Sequence, residues 1–289
     1  MNNNKQALEN LVPLFIKSLE DKKRSPSTIL AYRSDLEQLV GYLKERSVLD
    51  GDSVRAENLA AFRDDLIEKK YTAKSASRKL NAVKTFFRWL KDEGHIEKDH
   101  SRDVSHPKIE SSVPKFLSQL EYRALRDVIR HDTRIASIVE IILQTGMRIS
   151  EVANLKIEHI KKDVVIIEAY ATQGERSIEL NNRAKEAIED YLRERPVTEG
   201  IHLYVSKNGK PLAVRNIRAS IDRYMQKAEI PEYSVNDIRN TFIVENLKRG
   251  VDLVTISVAS GHKRLSTTER YLELAEVKDP GKKQKLEEL

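Results

Sequence analysis

The chain has 289 residues, a formal net charge of +6 and 33% charged residues, and it contains no cysteine. The length accommodates two ordinary domains. Without cysteine there is neither a disulfide framework nor a thiolate metal site. No apolar run approaches a membrane span, and Met1-Asn2-Asn3-Asn4-Lys5 leads into an amphipathic stretch rather than a signal peptide's apolar region. A cytoplasmic protein without a membrane partner is expected, and the basic balance suits a nucleic-acid partner.

Leu8, Leu11, Phe15 and Leu19 recur at helical spacing and predict a first helix near residues 5–20, with Pro13 early in it or interrupting it. Ser25-Pro26-Ser27 punctuates, and Ser27 is positioned to cap a second helix carrying Leu30, Leu36, Leu39, Val40 and Leu43. Gly51 and Ser53 mark the next stop. A third helix carries Leu59, Phe62 and Leu66, and a fourth runs from about Ser75 with Leu80, Val83, Phe87 and Leu90 inward. The other face of that fourth helix carries Arg78, Lys79, Lys84 and Arg88, which suits either solvent or a DNA backbone. Residues 1–100 thus read as a helical N-terminal domain. Ser101, Ser105, Pro107, Ser111, Ser112 and Pro114 break any period, so 101–115 reads as a linker.

Residues 116–289 read as a second domain. Ser118 caps a predicted helix with Leu120, Leu125 and Ile129, and a strongly apolar helix follows with Ile135, Ile138, Val139, Ile141, Ile142 and Leu143. It runs into Thr145-Gly146-Met147-Arg148-Ile149-Ser150-Glu151. Val164-Val165-Ile166-Ile167 predicts a strand, Thr172-Gln173-Gly174-Glu175 its turn, and Ser177-Ile178-Glu179-Leu180 the return strand. Residues 182–195 and 216–228 read as helices, separated by a short strand at Leu203-Tyr204-Val205 and a tight turn at Asn208-Gly209.

The final informative stretch is Asn236-Asp237-Ile238-Arg239-Asn240-Thr241-Phe242, a helical run ending near Gly250, a short apolar segment through Val254, Ile256 and Val258, and then Gly261-His262. Ser266 and Glu269 have the spacing of a capping box, which predicts a new helix with Tyr271 in its second turn. Two arginines, a histidine and a tyrosine suit attack on a phosphodiester. Arginine offers a charged, planar donor fork to phosphate oxygens, and tyrosine is a competent covalent nucleophile.

These stretches resemble the tyrosine site-specific recombinases, the phage integrases and Xer-type enzymes. Arg148 stands where that family has arginine in a Thr-Gly-Leu-Arg-Ile-Ser-Glu segment. Arg239 stands in the place of the arginine of a His-x-Leu-Arg-His box, Gly261-His262 matches a Gly-His pair, and Tyr271 follows His262 by the family's nine residues. The resemblance spans nearly the whole chain. It implies a mainly α fold with a small antiparallel sheet, in which an N-terminal helical bundle of SAM-like type binds core DNA and an α+β domain performs catalysis. It implies catalytic roles for Tyr271, Arg148, Arg239, His262 and Asn236, and supporting roles for Glu151 and Asn240. It also implies double-stranded DNA with inverted core sites, a homo-tetramer on two duplexes, accessory DNA sites or proteins, no cofactor and no metal. The compact build is similar to Xer-type enzymes, and the asparagine in the second box is similar to transposon-borne cointegrate resolvases. The tail after Tyr271 is expected to contact a neighbouring protomer.

The chain departs from the family pattern at three positions. Asn236 and Asn240 replace histidines, and asparagine cannot take up and carry a proton. The hairpin position that holds a lysine general acid in the family falls on Ala171, and no lysine lies between Lys162 and Lys185. Gln173 and Arg176 near the turn are poor proton donors. Lys161, Lys162 or water can fill the role; the other outcomes are a slow enzyme that depends on its partners, or a catalytically impaired DNA-binding architectural protein of the same fold.

Overall fold

The structure is a computed structural model and describes residues 7–109, 113–169 and 174–275. The chain divides into two compact units, Met1–Ser112 and Val113–Leu289. Among the described residues, regular structure is helical apart from one two-stranded antiparallel sheet. No helix among them is long and apolar enough to cross a membrane.

The N-terminal unit contains α1 (Leu8–Asp21), α2 (Pro26–Lys44), α3 (Ala56–Glu68) and α4 (Ala73–Asp92). Pro13 lies inside α1 on its exposed side, so the amide it lacks is missing from the solvent-facing row. Ser25, not Ser27, caps α2. Its hydroxyl accepts from the Thr28 amide at 3.2 Å, and Pro26 takes the first helical position. Thr72 caps α4 through the Ser75 amide, which starts that helix at Ala73. Phe15 is central, with ring centroids 5.3 Å from Phe86, 5.5 Å from Trp89 and 5.7 Å from Tyr32. Leu30 does not join this core. It is 67% exposed, because six residues separate it from Leu36 and turn it about 120° away from the buried stripe. A 3-10 turn at His100–Asp103, with buried Ser101 and Val104, also belongs to this unit.

The C-terminal unit opens with α5 (Gln119–Ile129). Ser118 and Glu121 form the expected capping box, the Glu121 carboxylate accepting from the Ser118 amide at 2.6 Å. Leu120 is exposed rather than buried. Next comes α6 (Thr133–Thr145), packed against α8 (Asn182–Glu194) and α10 (Val235–Lys248) and buried on nearly all sides. It ends at Gly146 with φ 64°, and a Cβ there would lie 2.4 Å from the Phe242 ring, so only glycine fits. The short α7 (Ile149–Ala153) follows at once.

The sheet pairs β1 (Val164–Ile167) with β2 (Arg176–Glu179), Val164 opposite Glu179 and Ile167 opposite Arg176. The described residues of this unit also contain α9 (Val214–Lys227), α11 (Leu253–Ser260) and α12 (Ser266–Glu269). Further expectations need correction. Leu203-Tyr204-Val205 packs inward with only Val205 in an isolated bridge, to Pro211, and the Tyr204 hydroxyl lies 2.8 Å from Ser137, so it is a buried connection rather than a strand. Ser266 is a helical residue rather than a cap. Leu265 already has helical angles, no side chain caps α12, and the helix ends before Tyr271, which lies in the turn that follows. Val254 and Val258 on α11 are also exposed, with only Ile256 of that apolar trio buried.

Candidate active site

The C-terminal end of α11 gathers three arginines from three distant parts of the chain. Its last carbonyls each accept from a different guanidinium. Arg176 Nε donates to Ala259 O at 3.0 Å, Arg239 Nη2 to Ser260 O at 2.8 Å, and Arg148 Nη2 to Gly261 O at 2.6 Å. A helix C-terminus carries partial negative charge and unpaired carbonyls, so it is a natural seat for cations. Gly261 has φ 64°, and a Cβ there would lie 2.9 Å from Arg176 Cζ and 3.0 Å from Arg148 Nη1. The glycine both ends the helix and lets the guanidiniums approach.

Each arginine arrives by a different local device. Arg148 immediately precedes α7, just after the glycine that ends α6, and Glu151 reaches back to its amide at 2.8 Å and to its Nη1 at 3.0 Å. Arg239 lies in the second turn of α10, is 9% exposed, and also donates Nη1 to the Gly146 carbonyl. Burial, and then the Arg148 charge, push its pKa down to about 10, so it remains a cation at neutral pH. Arg176 is the first residue of β2. Its fork grips both oxygens of Glu151, at 3.0 and 2.8 Å. Burial works against the Glu151 charge, yet the bonds from Arg176 and Arg148 hold its carboxyl below the ordinary range. Arg148 and Arg176 therefore share one carboxylate, and Arg239 lies beside them on backbone carbonyls.

His262 and Tyr271 stand beside this cluster. The His262 amide closes the end of α11 on Ser257 O at 2.9 Å, and Nδ1 lies 2.8 Å from Thr268 Oγ1. Burial, and then the charges of Arg239, Arg148 and Arg176, push its pKa down to about 4, so the ring is neutral at pH 7. A Thr268 hydroxyl that donates to Nδ1 leaves Nε2 carrying the proton, ready to donate. The Tyr271 ring lies nearly parallel to it, at 6.4 Å between centroids. Burial raises the Tyr271 phenol above its ordinary value, against the pull of Arg239. The phenol donates to Asn240 Oδ1 at 2.8 Å, and Asn240 Nδ2 is anchored on Lys115 O at 2.7 Å and Asp237 Oδ1 at 3.2 Å.

The structure thus brings together Arg148, Glu151, Arg239, Asn240, His262 and Tyr271. Asn236 is exposed on the first turn of α10, one turn before Arg239. Arg176 is the site residue that sequence reading dismissed. Only the strand register, with Arg176 opposite Ile167, reveals its place beside Glu151. Ala171, Thr172 and Gln173 lie outside the described residues. Lys161 and Lys162 are exposed just before β1. Among the described residues no three His, Asp or Glu side chains are placed to hold a metal ion.

On α4 the four expected DNA contacts separate. Arg88 is exposed and Lys84 half-buried. Lys79 is 7% exposed, with its ammonium 2.8 Å from buried Asp35 and over the Tyr71 ring, so it faces the core rather than a duplex. Arg78 is exposed but also grips Asp35.

Guanidiniums held on a helix end beside a tyrosine have the chemistry to receive a phosphate and to attack it. Comparison with known proteins carries this further. The phage integrase family model matches residues 115–277, and the model of the phage integrase N-terminal SAM-like domain matches residues 12–94. The chain belongs to the phage integrase family of tyrosine site-specific recombinases. It is similar to tyrosine recombinase XerC of Roseiflexus castenholzii, 27% identical over 277 residues, which are 91% of this chain and 88% of that protein. Its fold is similar to that of a lambda integrase dimer bound to a COC′ core site, with a TM-score of 0.74 at 16% identity over 98% of this chain and 80% of that one. It is likewise similar to the Tn1549 transposon integrase in complex with circular intermediate DNA, with a TM-score of 0.72 at 19% identity over 92% of this chain and 95% of that one.

Proposed function

We propose that this chain is a site-specific DNA recombinase that cuts and rejoins DNA through a 3′-phosphotyrosyl intermediate, serving integration, excision or cointegrate resolution of a mobile element. The observation that carries this reading is the set of three guanidiniums on successive carbonyls of α11, with Tyr271 and His262 alongside. Neutral carbonyl acceptors hold these cations without cancelling their charge, so the site retains an excess of positive charge for a phosphate.

In the proposed reaction, Arg148 and Arg239 neutralise the nonbridging oxygens as charge builds in the transition state. His262 Nε2 and the Asn236 amide add neutral donors. The Tyr271 phenol leaves Asn240, loses its proton and forms an O–P bond, while the bond from phosphorus to the 5′ oxygen breaks and that oxygen takes up a proton. The 3′ phosphate stays on Tyr271 until the 5′ hydroxyl of another duplex attacks it. One phosphodiester is exchanged for another, so the reaction balances without ATP or a metal. Arg88, Lys84 and Arg78 on α4 suit phosphate contacts from the N-terminal unit. By analogy with a lambda integrase tetramer bound to a Holliday junction, the working assembly is a tetramer on two duplexes with inverted core sites. It acts in the cytoplasm; the tail expected to contact a neighbouring protomer lies, after residue 275, outside the described residues.

The test is covalent trapping. Nicked suicide duplexes tiled across the DNA flanking the coding gene should give a protein–DNA adduct on denaturing gels. Tyr271→Phe should abolish the adduct and leave duplex binding within a few-fold. Binding to a defined site with no adduct from the unaltered protein would replace this reading with an architectural DNA-binding role.

A further inference from the structure

We infer that Arg176 is a positioning residue for strand cutting, setting the charge and aim of Arg148 through Glu151 without itself touching phosphate. The inference rests on the reading of this centre as a strand-cutting site.

The hydrogen bonds turn Arg176 inward. Its side chain is 9% exposed, both ends of its fork lie on Glu151, and its Nε lies on Ala259 O. The Glu151 carboxylate is meanwhile shared, because it also takes the Arg148 amide and Arg148 Nη1. That sharing has an electrostatic consequence. A carboxylate facing one arginine forms a tight pair with little net charge, whereas a carboxylate divided between two leaves one positive charge over. Arg176 holds both oxygens of Glu151, so Arg148 keeps its charge and its place on Gly261 O. A neutral side chain at position 176 would let Glu151 draw the Arg148 guanidinium off that carbonyl.

The second consequence is mechanical. Arg176 opens β2 opposite Ile167, the last residue of β1, and so sits at the end of the paired strands. The same side chain ties that strand to α7 through Glu151 and to the end of α11 through Ala259. Displacement of the hairpin is therefore transmitted to a catalytic arginine by two charge-assisted bonds. A plain structural ion pair would hold β2 against α7 but would have no bearing on the charge offered to phosphate, and this difference separates the two roles.

The experiment uses the full-length protein and the suicide duplex that traps it, made with either a normal scissile phosphate or a methylphosphonate at that position. The methyl group removes the nonbridging charge that Arg148 serves to neutralise. We expect Arg176→Gln to slow adduct formation on the normal duplex about 10- to 100-fold, the scale on which groups orienting a primary ligand act. On the methylphosphonate the defect should shrink to a few-fold for Arg176→Gln and for Arg148→Gln alike, and Arg148→Gln with Arg176→Gln should be no slower than Arg148→Gln alone. Arg176→Lys, which keeps the charge but loses the two-pronged grip, should fall between. Equal losses on both duplexes, additive losses in the double variant, or unaltered cutting by a folded Arg176→Gln would each overturn the proposal. Should the unaltered protein give no adduct, the recombinase reading fails instead, and the two failures are distinguishable.

Discussion

The two units each hold a cluster of cations around one carboxylate, and they use them oppositely. On α4, Arg78 and Lys79 converge on Asp35, and Lys79 is buried with its charge matched. At the end of α11, Arg148 and Arg176 share Glu151, Arg239 donates to backbone carbonyls instead, and three carbonyls of that helix end seat the three guanidiniums. A carboxylate cancels the cation it binds, while a carbonyl orients the cation and leaves its charge in place. The first cluster therefore pins a helix, and the second presents a field to a ligand. Counting lysines and arginines along a helix face does not distinguish the two cases; the acceptors do.

The sharpest way to break this comparison is Arg239→Gln. If the α11 cluster serves a phosphate, adduct formation should drop about 10²- to 10³-fold, the usual effect of losing one transition-state donor, with duplex affinity within a few-fold. A fall in thermal stability that accounts for the whole loss would reduce Arg239 to a structural role like that of Lys79.

Much of this contrast was legible in the sequence, and the illegible part has a physical cause. Arg148, Arg239, His262 and Tyr271 stand out through the family motifs they match, and the structure gathers all four around the end of α11. The apolar periods likewise located the principal helices and both strands of the hairpin. Arg176 gave no such signal, since its direction depends on a strand register and its partner lies 25 residues away on another element. Lys79 misled for the related reason that the helical face carrying it also reaches Asp35, 44 residues earlier. Ser266 and Glu269 have capping-box spacing, yet Leu265 extends the helical conformation one residue further back and leaves the box unused. Local patterns locate elements; long-range polar pairing decides which charges remain available.

A smaller effect separates the cations of α4 from one another. Lys79→Met should lower stability by about 1–3 kcal/mol, because Asp35 keeps only Arg78 as a partner, and the salt dependence of duplex binding should not change. Arg88→Gln should do the reverse, leaving the melting temperature in place and reducing the slope of log affinity against log salt by about one, as expected for one lost phosphate contact. Equal salt slopes for the unaltered protein and Arg88→Gln would remove α4 from the DNA interface.

The smallest expected effect comes from His262, the neutral member of the positive cluster. Its pKa lies near 4 in the folded protein, against 6.5 for an ordinary histidine, because burial and three guanidiniums disfavour a further positive charge. Between those values the unfolded chain binds a proton that the folded chain refuses, so acid favours unfolding. The stability tied to His262 is complete above about pH 6.5 and is lost progressively as the pH falls toward 4. For a half-exposed ring the loss should be roughly 1–2 kcal/mol after solvent screening. Urea melts across this range should show that decline in the unaltered protein and a shallower one in His262→Gln. Inorganic phosphate sharpens the test. An anion seated among the three guanidiniums offsets their repulsion, so the His262 titration followed by NMR should move upward with phosphate present. A titration indifferent to phosphate would mean that the cations on α11 do not admit an anion in the free protein, and their likeness to the Asp35 cluster would then be closer than their acceptors imply.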